Sequence, residues 1–414
     1  MMTLIKKYFK NYSGLPKTCR YGITLCLIES SLNGVCFFLS FYFIKWLKIN
    51  IATAGIIISC YAIGTACGGI LGGKLCDKSS PHLIGAISLI LEAITFYALT
   101  QTSNSILLMF ILFFLGLSIY GFLTANNLFV IQQCDSEAIK LRAINILYAA
   151  SNFGFGMAAI IIIFLAQKGF HSVFYLSSIV LLLFGIHFLF YEKKSTIKIT
   201  LIKKNIMNSS LTPNDKKTVF LVLTCLFLVG FIVSQRSAVY LIYINTLFPK
   251  NGIMAMCLVF ILNPLLVAFF QTPIVNYFQE FNKILMVGIG AFLMGLGTLM
   301  LNFSFFFLII ILACIIYTLG EILFFSIAQF LCYQKGENNK KGQSLGIFKT
   351  VYATSTIIGP TLSGIIYHYL NSTMLWYLDG ILGLFCLTSC IYFNTFASDL
   401  SAHTDTTSNE RSIA

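Results

Sequence analysis

The chain reads as an all-α membrane protein: twelve transmembrane helices in two pseudo-symmetric six-helix bundles. Three observations lead there: a composition too apolar for water, twelve apolar runs of bilayer length, and one long polar loop dividing six runs from six. Of 414 residues, 58% are hydrophobic and 10% charged, with a mean hydropathy of +0.87. Globular domains carry roughly 25% charged residues, so 27 basic and 14 acidic side chains cannot clothe a water-facing surface of this size. The solvent is therefore lipid. The 13 cysteines indicate neither a disulfide framework nor a zinc site. Their number is odd, no Cys-x-x-Cys pair occurs, and most sit in apolar runs where they act as small hydrophobes.

The runs fall near residues 21–46, 52–75, 83–101, 105–130, 143–166, 170–191, 218–244, 252–275, 283–302, 305–332, 344–369 and 373–396. Each approximates the roughly 20 residues that cross a ~30 Å hydrocarbon layer. They are continuously apolar rather than alternating, which selects helices over a closed barrel, the other spanning solution. Residues 1–20 form a basic arm with Lys6, Lys7, Lys10, Lys17 and Arg20, and the run that follows is too long for a signal-peptide core. Position explains the net charge of +13: with the amino terminus inside, 21 basic residues lie on the cytoplasmic side and 4 on the outer side. That asymmetry puts both termini in the cytoplasm and leaves no basic cluster for nucleic acid. Trp46 and Trp376 fall at the expected outer ends, where indole rings favour the interface. The organisation is thus an arm (1–20), a first bundle (21–191), a cytoplasmic loop (192–217), a second bundle (218–396) and a cytoplasmic tail (397–414).

Each half carries polar punctuation after its second run: Gly73-Lys74-Leu75-Cys76-Asp77-Lys78 in one and Gln271-Thr272-Pro273 in the other. Such duplication organises many secondary transporters around a midplane site. The residues resemble the major facilitator superfamily, and within it the drug/proton antiporter branch, over about residues 20–396. Gly73, Leu75, Asp77 and the basic Lys78 are similar to the first half of the family's Gly-x-Leu-x-Asp-Arg-x-Gly-Arg-Lys signature, while Ser80, Pro81 and His82 replace its later glycine and basic pair. Asn152-Phe153-Gly154-Phe155-Gly156, and Gly359-Pro360 followed by Gly364, are similar to the branch's glycine motif. The arginine that many antiporters carry in span 4 is missing. The resemblance implies two rocking bundles, a cavity lined by spans 1, 4, 7 and 10, and conformational gating at Gly73, Asp77, Lys78, Gly359 and Pro360.

A charge within lipid costs from about 2.5 to over 10 kcal/mol depending on method, so intramembrane ionisable residues are candidates for function. Glu29, Arg236 and Glu321 fall on the implied cavity helices, Glu29 roughly 12 Å and Glu321 roughly 17 Å from the inner surface at ~1.5 Å rise per residue. A carboxylate in a partly dry passage can exchange a proton near neutral pH, so either Glu29 or Glu321 is the expected proton site. Arg236, with Gln235 and Tyr240, reads as an anchor for an anionic substrate group, as a structural partner of Glu321, or as an interfacial arginine. Phe37, Tyr240 and Phe324 are rings able to wrap an apolar substrate or to face lipid. Glu92 is expected as a hydrogen-bonded carboxyl within the first bundle, Asp379 as an interfacial helix-end carboxylate, and Lys349 as snorkelling to the cytoplasmic surface. Gly64, Gly68 and Gly72, with Gly69 and Gly73 beside them, read as static packing or as a sliding gate.

These readings converge on a secondary transporter of a small organic molecule in the cell inner membrane, expected as a monomer and as a proton-coupled exporter of a drug or metabolite. The alternative is proton-coupled uptake of an anionic nutrient or a metal chelate such as a siderophore. Without a nucleotide-binding loop or a nucleophile or paired His/Glu constellation at one depth, neither ATP-driven transport nor an enzyme is indicated, and no cofactor or metal is expected.

Overall fold

Polar caps open several of the apolar runs and turn them into helices. Asn50, Asn104 and Asn282 each accept backbone N–H bonds from the first turn that follows them, satisfying donors that have no intrahelical partner. The computed structural model describes residues 12–39, 42–165, 170–191, 213–248 and 252–411, and among these no strand occurs. The long helices are α1 (Lys17–Asn33), α2 (Ile51–Lys78), α3 (Pro81–Leu99), α4 (Ser105–Gln132), α5 (Glu137–Leu165) and α6 (Phe170–Tyr191), then α7 (Pro213–Ala238), α8 (Gly252–Tyr277), α9 (Lys283–Leu299), α10 (Phe307–Lys335), α11 (Lys341–Leu370) and α12 (Ser372–Arg411). Of the described helices eight, namely α2, α3, α4, α6, α7, α9, α10 and α12, are long and apolar enough to cross a membrane.

Packing repeats at an offset of six helices. In the first half α1 packs on α5, α2 on α4, and α3 on α6; in the second α7 packs on α11, α8 on α10, and α9 on α12. Two contacts dominate between the halves, α2 with α11 and α5 with α8, and the same offset exchanges them. Glycines permit the closest approaches. Gly154 of α5 lies against Ser30 and the backbone of α1, and Gly359 of α11 lies against Ser234 and Phe231 of α7, so the two glycine-motif segments do the same packing work in each half.

The first helix of each half is broken, where the sequence pattern predicts continuous spans. After Asn33 the chain tightens to a 3₁₀ turn, Gly34–Phe38, and then a π turn, Tyr42–Trp46. Gly34 sits where a Cβ would collide with Ala158 of α5. In the second half α7 ends at Ala238 and a short helix, Tyr240–Leu247, follows. Such mid-span departures from α geometry often mark hinges.

Three further expectations change. Trp376 is fully buried against Tyr243, with ring centroids 5.3 Å apart, because α12 has already packed on α9 at that level; only Trp46 is exposed. The Gln271 segment is not an interhelical punctuation. Helix α8 runs through it to Tyr277, and Gln271 is buried, its amide donating to Ser326 Oγ and the Ile322 carbonyl of α10. Helix α12 continues to Arg411 through most of the predicted tail. The arm residues 1–11 and the loop residues 192–212 lie outside the described residues.

Candidate functional site

Glu321 sits midway along α10 and is 7% exposed. Tyr148 of α5 donates its hydroxyl to Oε1 at 2.7 Å, and Asn263 of α8 donates its amide to Oε2 at 2.7 Å. Asn263 also donates to Thr318 Oγ1 at 2.9 Å, one turn before the glutamate. Phe325 stacks on Tyr148 with centroids 5.6 Å apart and meets Tyr352 of α11 edge-on at 5.4 Å. The carboxylate is thus held from both halves, one donor coming from α5 and the other from α8. Bonds to an ionised acceptor are the stronger kind.

Glu29 lies in the last turns of α1 and is 1% exposed. Asn33 Nδ2 donates to Oε1 at 3.0 Å and Ser30 Oγ to Oε2 at 3.1 Å, while Ser151 of α5 meets Ser30 at 3.0 Å. Lys349 of α11 is half-buried and makes no ion pair with Glu29 within 4 Å; its Nζ lies 6.0 Å from the Phe348 ring. Glu92 of α3 is fully buried, and neither of its oxygens has a hydrogen-bond partner among the described residues, against the expected satisfied carboxyl.

At one end the halves close on each other. Gly73 of α2 meets Gly342 of α11 backbone to backbone, and Gly69 meets Gly346 and Thr350; Cβ atoms on these glycines would clash. Asp77 crosses the seam, accepting the N–H groups of Gly342 at 2.7 Å and Gln343 at 2.8 Å, where an anion also complements the amino-terminal dipole of α11. Lys341 donates to the carbonyls of Tyr333, Gln334 and Gly336 at the end of α10, and Lys335 pairs with Asp215 at 2.9 Å. The glycine stripe resolves into two roles: Gly64, Gly68 and Gly72 face α4 inside the first half, and Gly69 and Gly73 face the second. Lys78 is exposed beside the latch.

Other predicted residues lie elsewhere. Gln235 donates to Asp379 Oδ1 at 2.6 Å between α7 and α12, and both are buried. Asp379 is two turns into α12 with Gly295 of α9 against its backbone, so it is an interior carboxylate rather than an interfacial one. Tyr240 is buried in a cluster with Leu301, Ile310 and Trp376. Phe324 faces Gly290 of α9 within the second half, and its neighbour Phe325 is the ring at the seam. Pro360 stands inside α11 next to Gly359. The side chains of Arg236 and Phe37 lie outside the described residues. The sequence reading missed Tyr148, Asn263 and Phe325, because it weighed charges rather than neutral polar groups in the spans.

The Major Facilitator Superfamily model matches residues 22–355. No curated protein sequence matches the chain at a significant level. Among solved structures, the human organic anion transporter MFSD10 (TETRAN) is similar with a TM-score of 0.72, at 13% identity, over 91% of this chain and 100% of its own. A POT family transporter in complex with thioalcohol conjugated peptide gives 0.67, at 16% identity, over 93% and 96%. A POT family transporter in complex with 5-aminolevulinic acid gives 0.65, at 17% identity, over 93% and 96%. At these identities the likeness concerns the fold. With the family model covering most of its length and apolar helices that repeat the family's plan, this chain belongs to the Major Facilitator Superfamily and is a multi-pass membrane transporter rather than an enzyme.

Proposed function

We propose that the chain is a twelve-span, proton-coupled secondary transporter of a small organic molecule, working by alternating access between two six-helix bundles. One observation carries the reading: Glu321 is buried and bonded by donors from both halves, Tyr148 from one and Asn263 from the other. Rocking the halves apart breaks the Tyr148 bond. An ionised carboxylate deprived of its donor in a dry setting is costly, so taking up a proton becomes linked to the change of state. Glu29 of α1 is proposed as a second proton site, buried but bonded by donors of its own helix, Ser30 and Asn33. Export is assigned as the direction, on the likeness of Asp77 and the two glycine motifs to the drug/proton antiporter branch. The inner membrane with both termini cytoplasmic follows from the basic asymmetry.

Uptake of an anionic substrate is the second reading, supported by Lys349, a half-buried cation within α11. A ligand-stabilisation screen on purified protein identifies the substrate, and its flux in inverted vesicles under an imposed pH gradient then gives the direction. Glu29→Gln and Glu321→Gln are expected to reduce gradient-driven accumulation at least tenfold while leaving downhill exchange. Undiminished accumulation in both variants would overturn the coupling.

A further inference from the structure

We propose that Asp379 and Gln235 form a cyclic carboxylic acid–amide pair that holds one proton between α12 and α7, a proton site of the second half that opens where α7 breaks. This rests on the proton-coupled reading above and adds to it a site that neither Glu29 nor Glu321 supplies.

The atoms of the pair call for that proton. Gln235 is 1% and Asp379 0% exposed, and Gln235 Nε2 donates to Asp379 Oδ1 at 2.6 Å. The remaining two atoms, Gln235 Oε1 and Asp379 Oδ2, are buried and have no partner among the described residues. In an ionised aspartate both are acceptors, and neither can serve the other. A proton on Oδ2 makes one of them a donor, and the carboxyl and the amide then share two hydrogen bonds. Reversing the amide leaves the need unchanged: Oε1 then lies 2.6 Å from Oδ1, and two acceptors come that close only across a proton.

Nothing else among the described residues sustains the ionised form. The indole N–H of Trp376, one turn earlier on α12, is itself without a partner and so reaches neither oxygen. Thr298 of α9, one turn from Gly295, donates its hydroxyl to the carbonyls of Met294 and Gly295. Asp379 enters no ion pair among the described residues. Helix α12 packs on α9, α7 and α11, and the charged groups of those helices stand at other levels. Lys283 opens α9, Asp215, Lys216 and Lys217 open α7, Lys341 and Lys349 lie in the first third of α11, and His368 is exposed near its end. Tyr240, Tyr243 and Tyr367 share the cluster of Trp376 and bring hydroxyls, not cations. Cys386 and Cys390 lie two and three turns further along α12, the latter against Cys225. Arg236 follows Gln235, and its side chain lies outside the described residues.

The first half shows what this corner needs for packing alone. There Tyr42 donates to the Leu99 carbonyl at the end of α3 and meets Phe174 of α6 at 4.9 Å. In the second half Tyr243 donates to the Leu301 carbonyl just past α9 and meets Trp376 of α12 at 5.3 Å. Three residues beyond each ring stand Ser177 and Asp379, both fully buried. A hydroxyl suffices at this position in one half, so the carboxyl in the other is there for its proton. Gln235 lies three residues before α7 ends at Ala238, with the short helix Tyr240–Leu247 beyond. Bending at that break draws Gln235 from the carboxyl. Both bonds part, water reaches Oδ2 and takes the proton, and the carboxylate left behind must regain one before the pair can close again. Proton occupancy is thereby tied to the shape of α7.

The test is the infrared spectrum of the full chain reconstituted in lipid at neutral pH. Asp379→Asn is expected to remove one component of the protonated-carboxyl C=O band and to fold as the wild type does, since its amide offers Gln235 the same donor and acceptor. Gln235→Leu should remove that component or shift it to higher wavenumber, and it serves where Asp379→Asn does not fold. Arg236→Gln should leave the component in place. In deuterium oxide the component should move while the amide II band of the spans persists, because the pair opens without the helices unfolding. A band identical in wild type and Asp379→Asn, or untouched by Gln235→Leu, overturns the pair. A component that appears only in Arg236→Gln assigns Asp379 to an ion pair and overturns it equally. Movement in deuterium oxide only as amide II is lost marks a sealed acid and overturns the exchange. Accumulation undiminished in Glu29→Gln and Glu321→Gln, with the Asp379 component present and exchanging, removes the coupling role of those glutamates alone. Accumulation lost in them with no Asp379 component in the wild type removes the Asp379 site alone.

Discussion

Tyr148 turns a buried charge into a contact between the two halves. It is the donor from α5 to Glu321, while Asn263, on the opposite side of the carboxylate, comes from the same half of the chain as the glutamate. Hydrogen bonds to charged groups are worth about 1.5–3 kcal/mol. Tyr148→Phe is therefore expected to lower gradient-driven transport by roughly tenfold or more and to cost about 1.5–3 kcal/mol of stability. Flux in vesicles and a melting curve check both halves of that statement. The adjacent aromatic pair divides its work similarly. Phe324 is wholly buried against α9, so Phe324→Ala should cost stability of about 3–5 kcal/mol. Phe325 lies at the seam between Tyr148 and Tyr352, and Phe325→Leu should change substrate preference with a smaller fall in melting temperature. A shared loss of stability and no change in preference would remove the distinction.

Helices were legible in the sequence because lipid makes a single demand, that backbone polar groups be satisfied within the segment. Twelve apolar runs marked where the helices lie, with boundaries shifted by several residues once the caps are seen. Facing was not legible in the same way. Asp379 sits near the start of its run yet is interior, because α12 packs on α9 through Gly295 and Gly383. The breaks after Asn33 and after Ala238 carry no proline; each follows a polar stretch, Glu29-Ser30-Ser31 with Asn33 and Ser234-Gln235-Arg236-Ser237, that an apolar-run reading passes over, and at the first α5 comes close to Gly34. What the local motif did mark is Asp77, which stands at the amino terminus of α11 as a capping anion. Removing a cap costs about 0.5–2 kcal/mol. Asp77→Ala should weaken the closed end by that amount, seen as roughly two- to thirtyfold faster labelling of a cysteine placed at Gln343, with little change in melting temperature. Unchanged labelling would show that the glycine contacts alone hold the seam.

Across the whole molecule the same offset of six helices relates both the packing within each half and the two contacts between halves. Besides the Tyr148–Glu321 bond midway along α10, three cross-half bonds gather at one end: Asp77 with α11, Thr350 Oγ1 donating to the Ala66 carbonyl at 3.0 Å, and Gln271 donating to Asn145 at 3.4 Å. In the proposed orientation that end is the cytoplasmic one, and the arrangement is then that of a carrier closed toward the cytoplasm. A carrier that alternates must open this seam once per cycle, whereas the α1 contact with α4 belongs to a single half and never needs to open. Disulfides discriminate between the two, since they require Cα atoms about 4.4–6.8 Å apart. Ala66→Cys with Thr350→Cys spans the seam; Thr18→Cys with Gln133→Cys spans α1 and the end of α4 within the first half, where the two side chains meet at 3.1 Å. Oxidation of the first pair is expected to abolish flux and reduction to restore it, while the second pair, oxidised or reduced, should leave flux near its starting value. If the cross-linked seam still turned over, transport by rocking the halves would have to be given up, since that movement cannot leave Ala66 and Thr350 joined.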